Sequence, residues 1–298
     1  MLYAQTPAHE KRTLFRKALN SGKLLRFPGA FSPLVAKLLE EQAWDGVYIS
    51  GAVLANDLGL PDIGLSTMSE VTQRGHQIAR MTDLPAIIDI DTGFGEPLNA
   101  ARTVQELENL GLAGCHLEDQ QNPKRCGHLD HKTLVEPAEM LRKIKAAAEA
   151  RRDENFLLIA RTDARATEGL GQAIKRAKAY VDAGADMIFP EALQDEGEFA
   201  AFRKAIDVPL LANMTEFGKS PLLNVRQLES LGFNLVIYPV TSLRLAMKAV
   251  EDGLQTIQNE GTQERLLEKM QTRKRLYELL EYEAYATFDR SIYDFELE

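Results

Sequence analysis

The chain has 298 residues, 45% of them hydrophobic, with a formal charge of -9 and an isoelectric point of about 5.3. That balance excludes the dense Lys and Arg clusters on which nucleic-acid and membrane-surface binding rest, so an anionic ligand must meet cations placed locally. No run approaches the roughly 20 apolar residues that span a bilayer, MLYAQTPAHEKR lacks the apolar stretch of a secretory leader, and two cysteines are too few for a disulfide framework. A soluble, cytoplasmic chain with free thiols and no nucleic-acid or membrane partner is expected.

A helix is predicted first, in PAHEKRTLFRKALNSG (7–22). Eight short apolar runs bounded by turn residues follow: LLRFPGA from 24, GVYIS from 46, PAIIDID from 85, GCHLED from 114, FLLIARTD from 156, MIFPEAL from 187, PLLANM from 209 and LVIYPV from 235. Their average step is roughly 30 residues, the length of one strand-helix unit of a barrel. Between them, EPAEMLRKIKAAAEA and GLGQAIKRAKAYVDAGAD carry apolar residues at helical spacing. LGLAGCHLE, DAGADMIFP and LGFNLVIYP each place a glycine between a helix and the next strand.

Strand and helix repeated eight times predict a parallel sheet closed on itself. The fold class is therefore α/β, a single (β/α)8 TIM-type barrel over 23–258 within one domain of 1–298. An N-terminal helix lies in 1–22 and further helices in 259–298. An open doubly wound sheet is the alternative, weakened because no glycine-rich phosphate turn follows the first strand. The run TQERLLEKMQTRKRLYELLEYEAY exceeds what one barrel needs and is expected to pack on the barrel or on another subunit.

In such a barrel the active site lies at the C-terminal strand ends. Those ends hold Ser50 and Gly51, Asp89 and Asp91, Glu118 and Asp119, Arg161 and Asp163, Glu191, and Asn213, Thr215 and Glu216. Buried carboxylates are costly unless paired or bound to a cation. Asp89 and Asp91, two apart on a strand, are expected to leave one face. With Glu118 they make an oxygen-only set suited to Mg2+ rather than zinc; pairing with Arg161 or helix capping is the other possibility. The glycines of DTGFGEP, 93 and 95, read as a tight turn. Cys126, in NPKRCGHLDHK, stands in the loop after the fourth strand, where Lys124, Arg125 and His128 predict a thiolate-favouring setting. Cys115 reads as core, and His116 as hydrogen-bonded support or core.

DIDTGFG, HLEDQ followed by PKRCGH, ARTDA, FPEA and NMTEFG occur in an order that resembles the 2-methylisocitrate lyases of the isocitrate lyase and phosphoenolpyruvate mutase superfamily, over about residues 10–285. The resemblance implies Mg2+-dependent retro-Claisen (aldol-type) cleavage of a tricarboxylate, 2-methylisocitrate, to pyruvate and succinate in the methylcitrate route of propionate breakdown. It also implies a homotetramer whose barrels exchange a helix. Carried over by position, it implies substrate contacts from Ser50, Gly51, Ala52, Cys126, Gly127, Arg161, Glu191, Asn213, Met214, Thr215, Arg244 and Arg273. It places Asp89 and Asp91 on the metal, with Glu118 and Asp62 around it partly through water, and makes Cys126 the proton donor on a loop that Gly127 frees to close. Tyr48 and Asp62 remain two candidates for the base that takes the substrate hydroxyl's proton. Ala52 stands where a glycine is usual, and Met214 where another apolar residue is, so that only the backbone of Met214 is expected to matter.

Isocitrate lyase, 2,3-dimethylmalate lyase, an oxaloacetate hydrolase, a phosphonate enzyme and a non-catalytic dicarboxylate-binding barrel are the competing readings. Arg125 and the short chain favour the methylated substrate, Cys126 speaks against a phosphonate enzyme, and Phe189 and Ile237 are expected to leave room for the methyl group.

Overall fold

The computed structural model describes residues 3–129 and 131–293; the outermost ends of the two flanking helical spans, 1–2 and 294–298, lie outside them. Each of the eight apolar runs forms a strand: β1 (Leu25–Pro28), β2 (Val47–Ile49), β3 (Ala86–Asp89), β4 (Gly114–Glu118), β5 (Leu157–Thr162), β6 (Met187–Pro190), β7 (Leu211–Asn213) and β8 (Leu235–Tyr238). Helix α1 (Ala8–Leu19) precedes them. Between the strands run α2 (Pro33–Glu41), α3 (Gly51–Asp57), α4 (Met68–Ala79), α5 (Pro97–Asn109), α6 (Pro137–Ala150), α7 (Ala164–Glu168), α8 (Leu170–Asp182), α9 (Glu196–Ala205) and α10 (Val225–Ser230). After β8 come α11 (Thr241–Glu260), a 3-10 stretch at Glu264–Lys269, α12 (Arg273–Leu279) and α13 (Tyr282–Tyr293).

Strands β2 to β6 pair in sequence, and β7, β8 and β1 pair likewise, every ladder parallel. Single parallel bridges, Gly29 with Tyr48 and Ile188 with Leu210, join the two groups, so the eight strands close a ring. The predicted glycines end their helices in left-handed conformation, with φ of +85° at Gly111, +110° at Gly184 and +76° at Gly232.

Side chains alternate across each strand. On β5, Leu158 and Ala160 join the layer between barrel and helices, while Leu157 and Ile159 join the barrel interior with Phe27, Tyr48, Ile87, Met187, Phe189, Leu211, Leu235 and Ile237. The same period carried upward assigns Asp89, Glu118, Arg161, Glu191 and Asn213 to the inward positions of the top layer. The polar ring at the mouth thus follows from strand parity.

Helix α1 closes the floor. Phe15 and Leu19 join the interior cluster, with Phe15 and Phe27 ring centroids 5.1 Å apart. Its cations donate to carbonyls at the ends of helices and loops. Lys11 Nζ donates to Thr82 O, Arg12 to Leu112 O at 2.8 Å and Glu108 O at 2.7 Å, and Arg16 to Phe156 O at 3.0 Å.

Two expectations change. The C-terminal run is broken into short pieces: Gly261 at φ +72° stops α11, Thr272 caps α12, and Glu281 at φ +55° separates α12 from α13. Helix α11, the eighth outer helix, stands away from the barrel and exposes Leu245, Met247, Val250 and Leu254, each at least half accessible.

Candidate active site

The mouth of the barrel is a cavity of about 230 Å3, bounded by residues from strand ends and from the loop after β4. Tyr48, Ser50, Ala52, Asp62, Asp89, Cys126, Gly127, Arg161, Glu191, Asn213, Thr215 and Arg244 all line it. Six of the expected residues do not: Gly51, Asp91 and Glu118 lie outside this lining, as do Arg273, Met214 and Ile237. Arg273 is exposed on α12, whose Arg275 pairs with Glu41 at the end of α2 remote from the mouth. Met214 is buried in the outer apolar layer, and its N–H is spent on Ile237 O at 3.0 Å. Ile237 is enclosed in the barrel interior, so the apolar lining comes from Phe189, Pro239 and Val240.

The acidic side begins where β2 runs into α3. Ser50 caps that helix, its Oγ accepting from Val53 N at 3.4 Å, and Gly51 N–H donates to Asp89 Oδ2 at 3.2 Å. Asp91 is not on β3 as the spacing suggested: it sits in the following turn at φ +48°, its N–H donating to Asp89 Oδ1 at 3.0 Å. The two carboxylates nonetheless meet. A Cβ on Gly51 would lie 2.9 Å from Asp89 Oδ2 and 3.1 Å from Asp91 Oδ1, so only a glycine leaves that cradle open. Burial and neighbouring Asp89 push the Asp91 carboxyl up to about 6. Lys124 lies against Asp62 and, at 2.7 Å, against Asp91, a cation already placed among these acids.

One strand over, Glu118 ion-pairs with Arg161 Nη1 at 3.2 Å, while its Oε1 is buried without a hydrogen bond. Among the described residues no three His, Cys, Asp or Glu side chains converge closely enough to encage an ion by themselves. The Asp89 and Asp91 pair has the oxygen donors of a hard cation such as Mg2+, which takes one or two carboxylates and completes its shell with water and substrate.

Arg161 is the hub of the opposite side. Its Nε and Nη2 donate to Asp163 at 2.9 and 3.1 Å, and Glu191 lies 3.8 Å away. Burial alone would weaken its charge, but Asp163, Glu118 and Glu191 hold it firmly protonated. Burial also opposes the charge of Glu191, yet Arg161 and His128 keep that carboxyl well below the usual range. Asn213 Nδ2 donates to Glu191 Oε2 at 3.3 Å, and its Oδ1 is buried without a partner. Arg244, in the first turn of α11, is held by Glu216 at 2.5 Å.

The Cys126 thiol differs from the expectation. Lys124 turns to the acids, and Arg125 points outward while Gln120 grips its backbone N–H and C=O at 2.9 and 2.8 Å. Burial therefore dominates and raises the thiol, with Glu191 adding to it and a hydrogen bond from the His128 N–H opposing it. Cys126 is held as a proton-loaded thiol rather than a thiolate. Gly127 likewise has a different role from the one expected: its φ is not in the left-handed region, but a Cβ there would meet Glu191 Oε1 at 2.2 Å and Arg161 Nη2 at 2.4 Å. Absence of a side chain lets the loop press onto the polar ring.

Tyr48 is buried and its hydroxyl lies 2.8 Å from His116 Nε2. Burial, then Asp89, raises the phenol far above its normal range, and burial keeps His116 neutral. His128, expected only to favour the thiolate of Cys126, lies 3.0 Å from Glu191 and accepts from Lys219 N–H at 2.9 Å; Lys132, which the sequence did not single out, is buried against Asp163 at 2.7 Å. The Lys132 pairing with Asp163 and the His128 bond to Lys219 carry no local signal, because those partners lie 31 and 91 residues away.

A closed parallel barrel with paired aspartates, a buried arginine and a protonated thiol at one mouth defines an enzyme acting on a small carboxylate-bearing molecule. The chain belongs to the phosphoenolpyruvate phosphomutase family, whose model matches residues 15–258. Among its relatives are the probable 2-methylisocitrate lyase 1 of Corynebacterium glutamicum, 60% identical over 96% of this chain and 94% of that one, and the 2-methylisocitrate lyase of Bacillus subtilis, 48% identical over 97% and 95%. Similar solved structures include a 2,3-dimethylmalate lyase, at TM-score 0.90 and 29% identity over 99% of both chains. Another is a phosphonopyruvate hydrolase complexed with oxalate and Mg2+, at TM-score 0.86 and 32% identity over 94% of this chain and 98% of that one.

Proposed function

We infer that the chain is a carbon-carbon lyase that cleaves 2-methylisocitrate to pyruvate and succinate. The observation that carries the reading is a cavity lined by both the Cys126 thiol and Asp89, whose carboxylate flanks Gly51 together with that of Asp91, in a chain with full-length relatives named for this reaction.

The donor set fits Mg2+, held by Asp89 and Asp91 with Glu118 reached through water. An ion held by these residues would supply Lewis-acid chemistry that lowers the pKa of the substrate hydroxyl. Arg161 and Arg244 present guanidinium groups to the remaining carboxylates, and their positive charge favours the fragment on which negative charge develops. Cleavage moves the hydroxyl proton to a base, forms the carbonyl of pyruvate as the carbon-carbon bond breaks, and leaves the bonding pair on the succinyl carbon. Cys126 then gives its S–H proton to that carbon. Asp62 and Tyr48 both line the cavity as candidate bases, Asp62 against Lys124 and Tyr48 with its hydroxyl 2.8 Å from His116 Nε2. Ser50, Gly51, Ala52, Gly127, Glu191, Asn213 and Thr215 shape the binding site; Arg273 has no contact with it inside its own chain.

The apolar stripe on α11 supports assembly as a homotetramer in which this helix packs on a neighbouring barrel. Release of 2-oxo acid from 2-methylisocitrate, isocitrate and 2,3-dimethylmalate, each with and without EDTA, tests the function. The methylated tricarboxylate should turn over fastest and only with the divalent ion. Equal or faster turnover of isocitrate overturns the substrate assignment.

A further inference from the structure

The loop after β4 is pinned at its neck, where Gln121 N–H donates to Thr133 O at 2.7 Å and Gln120 bridges Leu134. From that neck Lys132 reaches inward under the tip. Its ammonium donates to the carbonyl of Gly127 and to Asp163 Oδ1 at 2.7 Å, with both side chains at 1% exposure or less. Asp163 Oδ1 is the same oxygen that receives Arg161 Nη2 at 3.1 Å, while Oδ2 receives Arg161 Nε at 2.9 Å. Asp163 is in turn fixed by its own N–H, which donates to Asp119 Oδ1 at 2.9 Å.

A buried ammonium is costly unless charge-paired and hydrogen-bonded. Asp163 alone would pair it; the second bond, to a backbone carbonyl at the tip of a loop, exists only while that loop is seated. We propose that Lys132 is a positioning residue, a latch whose one ammonium ties the peptide next to the Cys126 thiol to the aspartate that aims Arg161. Seating of the proton donor and orientation of the carboxylate-binding guanidinium then depend on one carboxylate. This inference rests on the lyase reading for its kinetic part only.

The test uses Lys132→Met, which keeps the chain length and removes the charge, and Lys132→Arg, which keeps Asp163 paired, each in the full-length protein. Two readouts are taken: steady-state cleavage, and the rate at which iodoacetamide labels Cys126 without substrate. An unlatched tip misplaced by about 1 Å loses on the order of 10²-fold in kcat. Lys132→Met should show that loss with KM changed far less, together with labelling of Cys126 several-fold faster than in the wild type. Lys132→Arg should recover part of kcat and slow the labelling again. Wild-type kcat and wild-type labelling in Lys132→Met overturn the proposal. Should Lys132→Met fail to fold, Lys132→Arg decides: unchanged kcat and labelling count against the latch, and faster labelling with lowered kcat supports it. A wild-type protein that cleaves none of the offered acids sinks the lyase reading alone, because the labelling rates still report whether Lys132 holds the tip.

Discussion

Gly127→Ala is the sharpest probe of the seated loop. The added methyl carbon would stand 2.2 Å from Glu191 Oε1, 2.4 Å from Arg161 Nη2 and 2.5 Å from Glu191 Cγ. Neither neighbour can yield, since Glu191 is 1% exposed, Arg161 is 7% exposed, and both are fixed in the ion-pair network around Asp163. Ordinary contact needs about 3.5 Å, so the tip must retreat by about 1.3 Å and take the Cys126 sulfur with it. A displacement of that size costs about 10²-fold in rate, equivalent to about 2.7 kcal/mol of transition-state stabilisation. The backbone there suits alanine, so global stability should change by no more than about 1 kcal/mol. Steady-state release of 2-oxo acid and urea unfolding on the same preparation separate the two effects. A variant with kcat within twofold of the wild type would refute the geometry, because the loop could not then be working in the position described.

Three further outcomes are expected. The burial that raises Cys126 preserves its acid form, so cleavage should be supported below the thiol's pKa and lost only as pH rises through a value above the ordinary figure of about 8.5. A basic limb of kcat near pH 7, or undiminished turnover in Cys126→Ser, would remove the thiol from the proposed step. Arg161→Met leaves Glu118, Asp163 and Glu191 facing one another without their shared cation, which should cost about 3–5 kcal/mol in urea unfolding and abolish turnover. Leu254→Asp puts a charge into the stripe of α11, where Leu254 is 62% exposed, and should yield smaller species by light scattering; an unchanged assembly would mean that no subunit covers this helix.

The eight strands were legible because buried parallel strands read as short apolar runs, and Gly111, Gly184 and Gly232 marked where helices had to stop. Strand parity also carried the polar top layer, since Arg161 stands two residues beyond Ile159 and Asp89 two beyond Ile87. Parity failed at Asp91 because the strand ends at Asp89 and a left-handed residue redirects the chain. The charge state of Cys126 was misread for a related reason: sequence neighbours of a loop cysteine need not be its spatial neighbours, and Lys124 is drawn to Asp62 and Asp91. Lys132 was invisible because its value lies in one oxygen of Asp163, whose position depends on Asp119. Met214 faces the outer apolar layer, whereas Ile237 faces inward but is enclosed in the barrel interior.

Helix α1 is translated before every strand of the barrel, yet nearly everything it holds is made later. Arg12 waits for Leu112 and Asp153, and Arg16 for Phe156 and Asp186, separations of 100 to 170 residues. At about 5–20 residues per second, that delay lasts on the order of five to thirty seconds. During it Phe15 and Leu19 have no interior to enter, so the nascent chain carries an amphipathic segment with exposed aromatic surface until more than half of the ring exists. Docking of this plug is therefore a late event in biogenesis despite its place ahead of the barrel in the chain.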